Sequence, residues 1–120
     1  MNNFEICKGI CDLHGTITGA GIIEKARLVA IYNRPGTPIP TEEEFGRFFL
    51  QTEIIASITK SNVAFFGQAK HFTISFEASD MYFFLLSRYA CPGVLAIQLV
   101  QPYDHEEIIK KVDQFLGRSL

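Results

Sequence analysis

Residues 41–67 read TEEEFGRFFLQTEIIASITKSNVAFFG, and this stretch decides the architecture. Its apolar residues repeat with helical spacing, but on two sides. At about 100° per residue, Phe45, Phe48, Phe49, Thr52, Ala56, Thr59, Val63 and Phe66 fall on one face, while Leu50, Ile54, Ile58 and Phe65 fall on the other. A helix at the surface of a globular domain needs only one apolar stripe. Leaving the second stripe in water forgoes roughly 1.5–3 kcal/mol for each of its four side chains. The spacing therefore predicts a helix held between its own sheet and another protein surface.

The helix also carries its own start signal. Thr41 is placed to cap it and Glu44 to return the bond, the reciprocal pattern of a capping box. Glu42, Glu43 and Glu44 suit the positive end of the helix dipole. Gly67 is placed to end the helix, with Ser61-Asn62 as an earlier stop.

Outward from this helix, residues 70–77 alternate, with Phe72, Ile74 and Phe76 on one side and His71, Thr73, Ser75 and Glu77 on the other, as in a half-buried strand. Residues 81–89 and 94–100 are apolar on both sides and read as central strands, with Ala78-Ser79-Asp80 and Cys91-Pro92-Gly93 as the turns. Asp104 and Glu107 form a second capping-box pattern. The helix after it presents Ile108, Ile109, Val112, Phe115 and Leu116 on one face and is expected to end at Gly117. Toward the N-terminus, residues 27–33 (RLVAIYN) read as a buried strand, and Asn33-Arg34-Pro35-Gly36 as a turn. Residues 37–40 (TPIP) are restricted by two prolines to a short edge strand. Residues 4–13 have helical spacing, and Gly15, Gly19 and Gly21 read as a flexible link.

The expected order is thus α-β-β-α-β-β-β-α in one α+β domain spanning residues 1–120. A five-stranded, mostly antiparallel sheet has the long helix on one face and the terminal helices on the other. This is a profilin-like sandwich. With 120 residues, 48% hydrophobic and 20% charged, the chain has material for a core without disulfides or metal. Eleven Phe, four Tyr and no Trp favour a Phe-rich core or a sticky contact surface.

A net charge of −2 with no basic patch argues against gripping nucleic acid through its phosphates. Residues 1–5 have neither a basic start nor an apolar run, so no signal peptide is expected. The longest apolar run, residues 81–86, is too short to cross a bilayer. Three cysteines do not make a disulfide scaffold, and the expected location is the reducing cytoplasm.

Three segments carry a family resemblance: LVAIYNRPGTPIP (28–40), the long helix EEEFGRFFLQTEIIASITKSNVAFFG (42–67), and HFTISFEASDMYFFLLSRYACPGVLAIQLV (71–100) followed by a capped helix. In length and element order, over nearly the whole chain, the sequence resembles the roadblock / dynein light chain family, which includes regulators of Ras-like small GTPases. The resemblance implies a dimer, with the long helices side by side and the third strands joined edge to edge. It implies a non-catalytic platform for a small Ras-like GTPase, with no cofactor. On this chain the dimer residues would be Leu50, Ile54, Ile58, Phe65, Phe72 and Ile74. Arg47, Gln51 and Glu53 would form the partner-binding rim. The mate is an identical chain or a paralogous roadblock domain. The alternative reading is a profilin- or PAS-like sensor with a small ligand in a Phe-rich pocket.

Other chemistry is less supported. Cys7, Cys11 and His14 share a helical face, but a tetrahedral metal site needs a fourth ligand. Cys91 lacks a visible base. His71 and His105 read as solvated polar side chains. The three consecutive glutamates read as helix-end stabilisers rather than an acid/base pair. The glycines at 15, 19 and 21 are not followed by the Lys-Ser/Thr of a phosphate loop. Phe72, Phe76, Tyr82 and Phe84 read as core rather than as an RNA-stacking platform.

Overall fold

A computed structural model describes residues 1–120. The elements run α1 (Asn3–Cys11), β1 (Ile17–Glu24), β2 (Arg27–Asn33), α2 (Glu42–Ser61), α3 (Val63–Phe66), β3 (His71–Ser75), β4 (Asp80–Leu85), a single 3-10 turn (Leu86–Tyr89), β5 (Val94–Leu99) and α4 (His105–Ser119). The five strands form one sheet in the order β2-β1-β5-β4-β3, and all four pairings are antiparallel.

Strand alternation divides the core in two. On one face Tyr82, Phe84, Leu95, Ile97 and Ile22 meet Ile6, Cys7, Ile10 and Cys11 of α1 and Ile108, Val112 and Leu116 of α4. On the other face Phe83, Leu85, Val94, Ala96 and Ile23 meet Phe49 and Ala56 of α2. Long helix on one side and terminal helices on the other is the expected arrangement. The central strands are apolar on both sides because both sides are roofed.

The N-terminal third differs from the sequence reading. The glycine-containing segment is no flexible link. It is β1, a central strand paired with both β2 and β5. Residues 37–40 form no strand, so the two strands before α2 are residues 17–24 and 27–33. Two causes hid β1. Gly19 and Gly21 look like breakers, yet a Cβ on Gly19 would sit 2.3 Å from Asn33 Oδ1, so β2 side chains occupy the space that a larger residue would need. The β1–β2 hairpin also turns through Lys25 (φ 51°) and Ala26 (φ 61°), left-handed positions normally taken by Asn-Gly in such turns.

Other boundaries move for local reasons. α2 stops at Ser61, and Asn62 separates it from the short α3, which Gly67 closes with φ 80°. Val63 and Phe66, expected on the sheet-facing side, are consequently exposed. β4 ends at Leu85, four residues before its expected limit. α4 runs through Gly117 to Ser119. Asp104 accepts from the Glu106 and Glu107 amides, but Glu107 does not return the bond; it pairs with Lys111 at 3.0 Å. α1 is capped reciprocally by Asn2 and Glu5.

Two polar side chains tie loops to this frame. Arg34 donates to the carbonyls of Cys11, His14 and Ile17, supplying donors where α1 runs out of its own. The buried Asp80 accepts from Ser75 Oγ (2.6 Å), Gln101 Nε2 (3.0 Å) and the Tyr103 hydroxyl. These donors hold its carboxyl below the ordinary carboxylate range, Ser75 contributing most.

The turn and the carboxylate each have a measurable consequence. Replacing Lys25-Ala26 by Asn-Gly should relieve left-handed strain and raise unfolding free energy by about 1–2 kcal/mol, read from urea titration. Asp80 binds its proton less tightly when folded than when unfolded. Its stabilisation is therefore complete above about pH 4 and lost as pH falls through the folded value. Asp80→Asn should cost about 1–3 kcal/mol at pH 7 and flatten the loss of stability between neutral and acid pH.

Candidate functional site

The site grows from the mismatch between α2 and the space beneath it. Thr41 Oγ1 accepts from the Glu44 amide (3.2 Å), and the Glu44 carboxylate accepts from the Thr41 amide (3.0 Å). That pair of bonds lowers the Glu44 pKa and keeps Glu44 at the helix start. From there α2 lays Phe45, Phe48, Phe49, Thr52, Ala56 and Thr59 toward the sheet, all buried or half-buried. Its opposite side carries Leu50 (58% exposed), Ile54 (54%), Ile58 (58%) and, beyond the break, Phe65 (85%) and Phe66 (77%). Nothing in the chain covers these side chains. The N-terminal segment, the one internal candidate for a cover, is α1 on the opposite face of the sheet.

The exposed strip continues toward β3. An apolar cleft of about 360 Å³ between α2 and the sheet is lined by Ile54, Ile55, Ile74 and Phe76 among others. β3 is an edge strand, paired only with β4, and it contains no proline. Its free edge can accept another strand. The structure thus brings Ile54 and Ile74 to one cleft, with Leu50, Ile58 and Phe65 extending from it. Phe72 is half-buried next to this cleft, stacking on its Phe83 wall with ring centroids 4.6 Å apart. On the rim, Arg47 and Gln51 are exposed and Glu53 is half-buried.

Beneath the first half of α2 lies a cavity of about 510 Å³. Its roof is Phe45, Phe48 and Phe49, with Arg47 and Gln51 at the side. Gly19, Gly21 and Ala96 line its floor, with Leu28, Ile31 and Asn33 of β2 beside them. Sequence reasoning located the phenylalanines but missed this floor, because the glycines looked like a linker.

The remaining candidates are dispersed. Cys7 and Cys11 are fully buried between α1 and the sheet. Burial pushes their thiols up to about 12 and about 11. His14 bonds through Nδ1 to Thr16 Oγ1 at 2.8 Å. No three His, Cys, Asp or Glu side chains converge as a metal-binding group. Cys91 is half-buried near the 3-10 turn. His105 is exposed, as expected, and its Nδ1 also meets the Tyr82 hydroxyl. Phe72 and Phe76 do not share a platform with Tyr82 and Phe84, because the latter pair is buried on the α1/α4 side.

With this geometry in place, comparison with solved structures is decisive for the fold. A Roadblock/LC7 domain from Streptomyces avermitilis superposes with a TM-score of 0.73 at 8% identity, over 98% of this chain and 94% of that one. This is the Roadblock/LC7 fold. The gliding protein MglB from Thermus thermophilus gives 0.71 at 13% identity, over 95% of this chain and 84% of that one. MglB of Myxococcus xanthus gives 0.69 at 10%, over 96% and 91%. No protein-family profile and no curated protein sequence matches the chain. In this fold the exposed strip is the outer side of the long helix and one free sheet edge is the third strand. No helix is long and apolar enough to cross a membrane.

The thiols give a direct check on packing. Under native conditions a thiol-reactive dye should label Cys91 first. Cys7 and Cys11 should react only at the rate of unfolding, since both are buried and their thiolates are disfavoured. Fast native labelling of all three would mean that α1 is not docked as described.

Proposed function

We propose that this protein is a non-catalytic, dimeric roadblock-type scaffold that holds a small Ras-like GTPase. The observation that carries the reading is the continuous exposed strip of Leu50, Ile54, Ile58 and Phe65 on this fold. Four large apolar side chains in water represent roughly 1.5–3 kcal/mol each that a mate can recover. Both the strip and the free β3 edge can be used at once in a twofold arrangement, where each surface meets its own copy. Ile74 joins the helix contact through the shared cleft, and β3 contributes backbone. The mate is a second copy of the chain or a paralogous roadblock domain.

Arg47, Gln51 and Glu53 lie beside the strip and would form the rim that meets the GTPase. In this reading the domain positions the GTPase and its switch segments and supplies no reacting group of its own. Its three free cysteines suit a reducing cytoplasm.

A second reading rests on the cavity under α2. At about 510 Å³ it falls within the range of small-molecule sites, and its phenylalanine roof suits an apolar ligand. A small molecule retained by the intact protein in native mass spectrometry would favour this sensor reading.

Ile54→Asp tests the scaffold. Ile54 is exposed within one chain, so the variant should keep the unfolding free energy of the monomeric domain within about 0.5 kcal/mol. By light scattering it should be monomeric at concentrations where the parent is dimeric. A parent that is itself monomeric at micromolar concentration would defeat the proposal. So would a variant that unfolds outright. For the partner, small Ras-like GTPases loaded with GDP or a non-hydrolysable GTP analogue should be retained on the immobilised domain in a nucleotide-dependent way.

A further inference from the structure

The sheet face opposite α2 carries a second concave feature, which the scaffold reading does not use. Between the start of β3 and α4 lies a notch of about 480 Å³ lined by nine residues. Five of them are Lys70, His71, Arg88, His105 and Lys110. This gathering of basic groups, in a chain of net charge −2, comes from four separate places: the residue before β3, β3 itself, the 3-10 turn and α4.

Few negative charges oppose them. Asp113 is already engaged, at 3.2 Å from Arg88 and accepting from the Tyr89 hydroxyl. Glu106 is the other carboxylate facing the notch. The ion pairs of the chain are Arg88–Asp113 and Lys111–Glu107, so Lys70 and Lys110 have no carboxylate within 4 Å. Phe84 and Ile109 complete the wall, and a low-dielectric wall concentrates the field of the charges around it. His71 and His105 lie with ring centroids 6.4 Å apart, and His71 is held below the usual histidine range. Burial is the main cause, followed by the positive charges of His105, Lys70 and Arg88, with Asp113 opposing.

We propose that this notch is a binding site for a dianionic phosphoryl group on a small soluble molecule. A carboxylate would be matched by one ammonium. Two unpaired ammoniums flanked by two imidazoles instead suit a tetrahedral group that carries close to two negative charges and three acceptor oxygens at neutral pH. Phe84 belongs to the core face shared with α1 and α4, so the notch opens on the side of the sheet away from the α2 strip.

The test uses the full chain, with inorganic phosphate titrated at constant ionic strength and the histidine ring protons followed by NMR. Saturable shifts at His71 and His105, with His71 titrating at higher pH when phosphate is bound, are the expected result. Lys70→Glu and Lys110→Glu should each weaken binding by about fivefold or more, the scale of reversing one partly screened contact. Lys25→Glu, at the distant β1–β2 turn, should leave it unchanged. Shifts that stay linear in phosphate, or that are equal in Lys110→Glu and the parent, overturn the site. Glycerol phosphate and vesicles containing phosphatidic acid separate the two sources of the group: capture by vesicles without any response to soluble phosphate overturns the assignment to a soluble ligand.

Discussion

Everything in this molecule depends on a sheet whose three inner strands are apolar on both sides. β1, β5 and β4 have no polar face to give to water, so each side must be roofed, and a chain of this length has three substantial helices for the purpose. α1 and α4 share one side, where their small and branched residues close tightly over Tyr82, Phe84, Leu95 and Ile97. α2 alone covers the other. Its contact is firm toward its middle, where Phe49, Thr52 and Ala56 are buried. It opens into a cavity at its first turns. The asymmetry in cover sets where the open surfaces are. The well-packed side offers a shallow polar notch, and the side with a single helix offers apolar area.

The parts of the fold that were legible in the sequence are those where chemistry and periodicity agree. The long helix announced itself through the Thr41–Glu44 cap and its repeating phenylalanines. Strands β3, β4 and β5 announced themselves through alternation or continuous apolar runs. The outer strip of α2 was legible because Leu50, Ile54, Ile58 and Phe65 had no reason to be there in a helix with one neighbour. β1 was hidden because its glycines serve packing against β2 side chains, and because its hairpin is made by two residues that carry no turn signature. Asn62 was legible only as one of two possible stops, and the reversal of Val63 and Phe66 from covered to bare follows from it.

The polar side chains were the least readable. Nothing local marks Arg34 as the donor for three carbonyls around the α1–β1 connection, because those acceptors are distant in sequence. Asp80 looked like a hairpin residue and proves to gather Ser75, Gln101 and Tyr103. His105 is the surface residue of a first helical turn that it looked like, but its contact with the Tyr82 hydroxyl was not visible in the sequence. Each is a long-range relation that a linear pattern does not encode. The basic notch is of the same kind, since Lys70, Arg88 and Lys110 become neighbours only through the folding of β3, the 3-10 turn and α4.

The break at Asn62 has a consequence for alignment. An unbroken greasy rod could slip along a matching rod by one helical turn and lose little, since one aliphatic side chain would simply replace another. Here the rod ends at Asn62 and a separate short helix bears the Phe65–Phe66 pair, with ring centroids 4.7 Å apart. A bulky end-stop of this kind would make such slippage expensive, so that a mate could settle at a single offset along the axis.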